Sequence, residues 1–149
     1  MTLRLDYMKA APAGMAAIRA TRDYVAKSGL PQILIDLVNL RVSQINGCAY
    51  CIDMHSRDLL KQGLDVAKLV LVPAWREGGR LFDAREQAAL AWAETVTRVA
   101  ETGIPDSDYA AVAAEFNEKE IADLTIVIGL INLYNRIAIG FRSTPEAAK

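Results

Sequence analysis

Both cysteines and the only histidine of this 149-residue chain fall within one short stretch, as Cys48, Cys51 and His55. Cys51 follows Cys48 by three positions, and His55 follows Cys51 by four. On a helix those steps stack the three side chains on one face. Two thiols so placed can close a disulfide, and an imidazole beside them can move a proton near neutral pH. The trio therefore suits redox chemistry. A thiolate attacks a peroxide oxygen, the leaving oxygen takes a proton, and the sulfenic acid so formed condenses with the second thiol.

The residues just before the trio predict where its helix starts. Asn46 and Gly47 both tolerate a left-handed helix terminus, so one helix ends there and another begins near Cys48. The cysteines then sit at or near a first turn, where unpaired N–H groups and the helix dipole favour a thiolate. Cys48 is nearest the helix start, and Cys51 lies one turn in, against His55.

Other readings of these residues stay open. Free cysteines are often simply buried, and a lone histidine is often a satisfied core residue. All three together favour function. Two thiolates and an imidazole could also hold zinc, with Asp36 as a fourth ligand. Against this, the chain has no second CxxC, and a CxxC within one helix lacks the loop that usually wraps zinc. Haem attachment needs histidine directly after the second cysteine, where Ile52 stands. A thioredoxin-type site needs a βαβ context that the pattern lacks. A disulfide reductase or thiol redox partner using the same pair, and a non-enzymatic metal-binding oligomer, are the alternatives to a peroxidase. Asp36 itself, between Ile35 and Leu37, is either a solvated outer-face acid or a partner for something polar inside. The residues alone favour the solvated position.

Composition sets wider bounds. A chain that is 52% hydrophobic with a net charge of −1 is no disordered segment and lacks the basic excess of a nucleic-acid binder. Met1-Thr2-Leu3-Arg4-Leu5-Asp6 shows no basic region followed by an apolar one, so no signal peptide and a cytoplasmic location are expected. Two cysteines in a reducing compartment point to catalysis, redox or metal rather than a structural staple. The run from Leu124 to Phe141 is about long enough to cross a membrane. Asn132, Asn135 and Arg136 interrupt it, and Gly129 and Gly140 weaken it, so it reads as a core or subunit-interface helix with no membrane partner.

The elements that must position the trio are all helical, and no run shows the period-two alternation of strands. The pattern predicts helices from Pro12 to Ser28, from Gln32 to Ile45, from Cys48 to Gln62 and over Leu64–Leu69. Ile33, Leu34, Leu37, Leu40 and Ile45 are the expected buried positions of the second. A capping box at Asp83-Ala84-Arg85-Glu86 opens a helix to Thr102. Asp106 or Ser107 caps the next, Asn117-Glu118 marks a turn, and a last helix runs from Lys119 to Gly140. The tail from Ser143 is expected to fray. The whole is a single all-α domain over 1–149, of six to seven helices.

The stretch Leu37-Val38-Asn39-Leu40-Arg41-Val42-Ser43-Gln44-Ile45-Asn46-Gly47-Cys48-Ala49-Tyr50-Cys51-Ile52-Asp53-Met54-His55 resembles the core motif of the AhpD-like alkylhydroperoxidases, within the carboxymuconolactone decarboxylase superfamily. Supporting likeness continues in Val72-Pro73-Ala74-Trp75-Arg76-Glu77, in Arg85 to Glu94 and in Asn132-Leu133-Tyr134-Asn135-Arg136-Ile137-Ala138, with the core motif region spanning about 32–102. The resemblance implies an AhpD-like helical fold, assembly as a homo-oligomer (trimer or hexamer), and thiol peroxidase activity without metal, haem or flavin. It implies hydrogen peroxide or a small organic hydroperoxide as substrate and a separate thiol/disulfide electron donor. By the same resemblance Cys51 attacks the peroxide, Cys48 resolves the sulfenic acid, and His55 and Asp36 move protons. Asp36 stands where the family usually has glutamate, and Tyr50 where some members carry a further histidine. The decarboxylase branch acts on lactone acids and does not need the CxxC pair.

Overall fold

The structure is a computed structural model that describes residues 2–148. Met1 and Lys149, the outer bounds of the expected domain, lie outside the described residues. Among the described residues there is no strand, and nine α-helices follow one another: α1 (Tyr7–Ala10), α2 (Pro12–Val25), α3 (Gln32–Asn46), α4 (Ala49–Lys61), α5 (Val66–Leu71), α6 (Ala84–Thr97), α7 (Val99–Thr102), α8 (Asp106–Ala113) and α9 (Glu118–Phe141). Apart from the four-residue α1 and α7, these are the helices the pattern predicts.

Local chemistry sets the boundaries, including those that differ from expectation. Asp83 and Glu86 form a reciprocal capping box at α6, and Asn117 and Glu120 form another at α9. The helix expected to run unbroken to Thr102 bends at Arg98 (φ −99°, ψ 34°), which separates α6 from α7. Pro105 holds the cap position of α8 in extended backbone, so Asp106 is the first helical residue rather than the cap. Asp65 caps α5, which therefore starts later than Leu64. The tail does not simply fray. Glu146–Ala148 form a 3-10 turn, and the Ala147 N–H donates to Asp53 Oδ2 at 3.2 Å.

Helix α3 runs through the middle, against α4, α6 and α9. Leu34, Leu37 and Leu40 are buried as expected, whereas Ile33 and Ile45 are only half-buried. Ile35, Val38 and Val42 are buried as well, because neighbours cover α3 on most of its circumference. On one side Val38, Val42, Ala89, Trp92, Leu124 and Ile128 pack together with both cysteines. On the other side Leu37, Leu40, Leu59, Val72, Trp75 and Phe82 form a second cluster.

Helix α9 is long and apolar enough to cross a membrane. Its Val127, Ile128 and Ile131 nevertheless pack inside the fold, while Ile126 (39% exposed) and Leu133 (42%) face outward. Gly129 lies between them on the exposed face. The uncovered part of the expected apolar run thus comprises the Ile126–Gly129–Leu133 stripe and Ile139, and Ile128 belongs to the core.

Below the second cluster, Glu94 of α6 gathers three donors. Arg41 Nε of α3 approaches at 2.7 Å and Trp75 Nε1 at 2.9 Å, and Arg76 completes the set. Burial pushes the Glu94 carboxyl up, but these donors outweigh it and hold the group below its ordinary value. Glu94→Ala would leave the largely buried Arg41 without its counter-charge. The expected loss of stability is about 3–5 kcal/mol by urea unfolding. A loss below about 1 kcal/mol would mean that solvent, not Glu94, satisfies Arg41.

Candidate functional site

The turn between α3 and α4 builds the site. Gly47 adopts a left-handed conformation (φ 69°, ψ 32°) that a side chain would strain. The Cys48 N–H donates back to Ser43 O at 2.9 Å, closing the end of α3. Cys48 is then extended (φ −84°, ψ 92°) and serves as the N-cap of α4, so α4 begins at Ala49. Its Sγ accepts from the Cys51 N–H at 3.4 Å. Both cysteines are free and buried, with their sulfurs 2.7 Å apart.

One turn further along α4, His55 Nδ1 lies 3.1 Å from Asp36 Oδ1 of α3. The other carboxylate oxygen accepts from Gln32 Nε2 at 3.0 Å and from Gln62 Nε2 at 2.8 Å. Asp36 is only 5% exposed, so the solvated position favoured from the residues alone is overturned. The carboxylate faces inward because three donors converge on it, Gln32 of α3, His55 of α4 and Gln62 just past the end of α4. Burial pushes Asp36 up, but the hydrogen bonds from His55, Gln32 and Gln62 outweigh this and hold it below the usual carboxylate value. An ionised Asp36 has no proton to give, so in this contact Nδ1 carries the hydrogen and donates it. His55 Nε2 is buried and has no hydrogen-bond partner.

The two thiols differ in charge preference. A hydrogen bond from the Cys51 thiol lowers Cys48 to about 7, and the backbone N–H groups at the start of α4 add to it. The same contact, together with burial, pushes Cys51 well above its ordinary value. The one hydrogen the two sulfurs share thus favours a negative charge on Cys48 over one on Cys51.

Behind the cysteines lies a polar network. Asn135 is fully buried on α9. It donates to Ser43 Oγ at 3.1 Å and accepts from Asn46 Nδ2 at 2.9 Å. Its amide also favours ionisation of both thiols. The sequence signal for it was Asn132, Asn135 and Arg136 at helical spacing in an otherwise apolar run. Gln32 and Gln62 carried no comparable signal.

A cleft of about 680 Å³ opens beside the pair between α1, α2, α3, α4 and α9. Cys51, His55, Asp36 and Tyr50 line it, and Cys48 does not. The structure therefore brings all four expected residues together and sets Cys51, rather than Cys48, along the wall of the cleft. Among the described residues, no three His, Cys, Asp or Glu side chains converge as metal ligands.

Comparison with known proteins adds to this picture. The family model of the carboxymuconolactone decarboxylase family matches residues 12–95. The uncharacterized protein YdfG of Bacillus subtilis is 35% identical over 139 residues, covering 93% of this chain and 94% of that protein. A crystal structure of a protein of unknown function from Agrobacterium tumefaciens, called a putative antioxidant defence protein AhpD, is 42% identical with a TM-score of 0.92. The match covers 97% of this chain and 98% of that one. An uncharacterized peroxidase-related protein from Silicibacter sp. TM1040 is 26% identical with a TM-score of 0.79, over 89% of this chain and 70% of its own.

Thiolate absorbance at 240 nm, followed against pH, should show one ionisation near pH 7, with thiolate present above it. Cys48→Ser should remove that step. Cys51→Ala, which takes away the main donor to the thiolate, should move it upward. A step near pH 7 that survives Cys48→Ser would assign the charge to Cys51 instead.

Proposed function

As an AhpD-like member of the carboxymuconolactone decarboxylase family, to which it belongs, the chain is, we propose, a thiol peroxidase that reduces organic hydroperoxides through Cys51 and Cys48. The observation that carries this reading is the asymmetry of the pair. Cys51 lines the cleft beside His55, whose Nε2 is free, while the acidic thiol Cys48 is close behind it.

The chemistry runs in two displacements. Moving the shared proton onto Cys48 turns Cys51 into the thiolate. Its sulfur attacks the terminal peroxide oxygen, the O–O bond breaks, and Cys51 becomes a sulfenic acid. The alkoxide takes the proton back from Cys48 and leaves as the alcohol. The Cys48 thiolate then attacks the Cys51 sulfur, and the departing hydroxide leaves as water with a proton relayed from solvent by His55. Asp36 stabilises the imidazolium that this relay needs, by accepting from Nδ1–H. Two thiols are oxidised to a disulfide and one peroxide is reduced. An external thiol donor must reverse the disulfide for turnover.

Cys51→Ser should abolish peroxide consumption. Cys48→Ser should react once and stall as a Cys51 sulfenic acid that dimedone traps, whereas a dimedone adduct on Cys48 in the Cys51→Ser variant would reverse the roles. In the same assay Asp36→Asn should slow the reaction by about 10- to 1,000-fold. Unchanged kinetics would take Asp36 out of the relay. Reduction of small disulfides without any peroxide consumption would replace the peroxidase reading by a disulfide reductase.

The reading includes self-assembly. The exposed apolar stripe of Ile126, Gly129 and Leu133 on α9 supports contact with another copy. Light scattering should give a native mass of three or six chains, and a single-chain mass at micromolar concentration rejects assembly.

A further inference from the structure

We propose that the cleft is built for a bulky amphiphilic hydroperoxide bearing a carboxylate, of the fatty-acid type, and that Arg19 is its anion partner. This narrows the substrate class of the peroxidase reading and rests on that reading for the reacting end alone.

Size is the first argument. One water takes a share of about 30 Å³ in the liquid, and hydrogen peroxide is little larger. The cleft of about 680 Å³ lies within the range of sites for much larger molecules. The second argument is its walls. Met15, Val25, Ile35, Met54, Ile131 and Ala138 line it, an apolar surface that favours a hydrocarbon body over a small polar peroxide.

Charge is the third. Most ionic groups lining the cleft already have partners. Asp36 is held by His55, Gln32 and Gln62. Lys61 pairs with Asp58 at 3.3 Å, and Arg22 with Asp23 at 3.1 Å. Arg19 differs. It lines the cleft, is half-buried, and has no hydrogen-bond or carboxylate partner among the described residues. It lies one helical turn from both Met15 and Arg22, on the cleft-facing side of α2. Its charge reaches Tyr134, a lining residue of α9, whose hydroxyl burial pushes up and Arg22 and Arg19 pull down. A guanidinium takes a carboxylate through two parallel hydrogen bonds. The cleft thus presents a thiol site for an O–O bond, apolar walls for a chain, and one unpaired fork of donors for an anion.

The test uses the full chain with linoleic acid hydroperoxide, its methyl ester and cumene hydroperoxide. In the native sequence the acid should exceed the ester in kcat/KM by about tenfold or more, chiefly through KM. Arg19→Gln should bring that ratio close to one by slowing the acid, and Arg19→Lys should retain part of it. Equal kcat/KM for acid and ester, or a ratio unaltered in Arg19→Gln, overturns the proposal. Calorimetry with decanoate, which cannot be reduced, separates the two readings. Decanoate binding that weakens about tenfold in Arg19→Gln, without consumption of any hydroperoxide, upholds the ligand class and removes the peroxidase. Consumption of cumene hydroperoxide with no acid preference and no Arg19-dependent decanoate binding removes the ligand class and leaves the peroxidase standing.

Discussion

The left-handed turn at Gly47 is the constraint from which the site follows. It folds α4 back along α3, so residues far apart in sequence face each other across the hairpin. Asp36, near the start of α3, meets His55 of α4 and Gln62 at the C-cap of α4. The same turn frees Cys48 from helical geometry and leaves it as the cap of α4, where its sulfur rather than a hydroxyl or carboxylate accepts the first-turn N–H. A side chain at position 47 would strain the turn and so disturb the cap, the thiol pair and the carboxylate–imidazole contact together.

This arrangement divides labour between two chemically identical side chains. Both thiols are buried, but one is the more acidic and caps a helix start, while the other is less acidic and lies along the cleft wall. Position, not residue type, makes the difference. Because the sulfurs are 2.7 Å apart, one proton shared between them decides which is the nucleophile, and disulfide closure needs little backbone movement. The Ser43–Asn135–Asn46 network fixes the back of the pair to α9, so the reactive hairpin is tied to the longest helix in the fold.

Much of this was legible in the residues because the signals are local. The CxxC-x3-His spacing, the Asn-Gly stop and the capping box at Asp83 all act within a few positions, and the structure has them where the pattern put them, while the turn expected at Asn117-Glu118 is a second capping box that opens α9. What escaped depends on contacts made at a distance. Gln32 is a local partner of Asp36, but the inward turn also rests on His55 and Gln62, 19 and 26 positions away, which no local pattern announces. The bend at Arg98 falls in a β-branched run, Thr95-Val96-Thr97 and Val99, that weakens a helix without marking where it breaks. The burial of Ile128 beside the exposure of Ile126 follows from which helices surround α9, and a run that is apolar on every side carries no such direction.

Three of the buried carboxylates, Asp36, Glu94 and Asp123, have a thermodynamic consequence for the molecule as a whole. Asp36 joins α3 to α4, Glu94 joins α6 to α3, and Asp123 accepts from Tyr24 of α2 and from Lys119. Burial pushes each one up, but hydrogen-bond donors outweigh it and hold all three below their ordinary values in the folded protein. Each binds its proton less tightly when folded than when unfolded. Each therefore adds stability above about pH 4, and that contribution is lost as pH falls through the folded values. Acid loosens the inter-helix clasps of the scaffold over the same interval in which it neutralises the group that orients His55. Loss of structure and loss of the proton relay in acid are one linked titration.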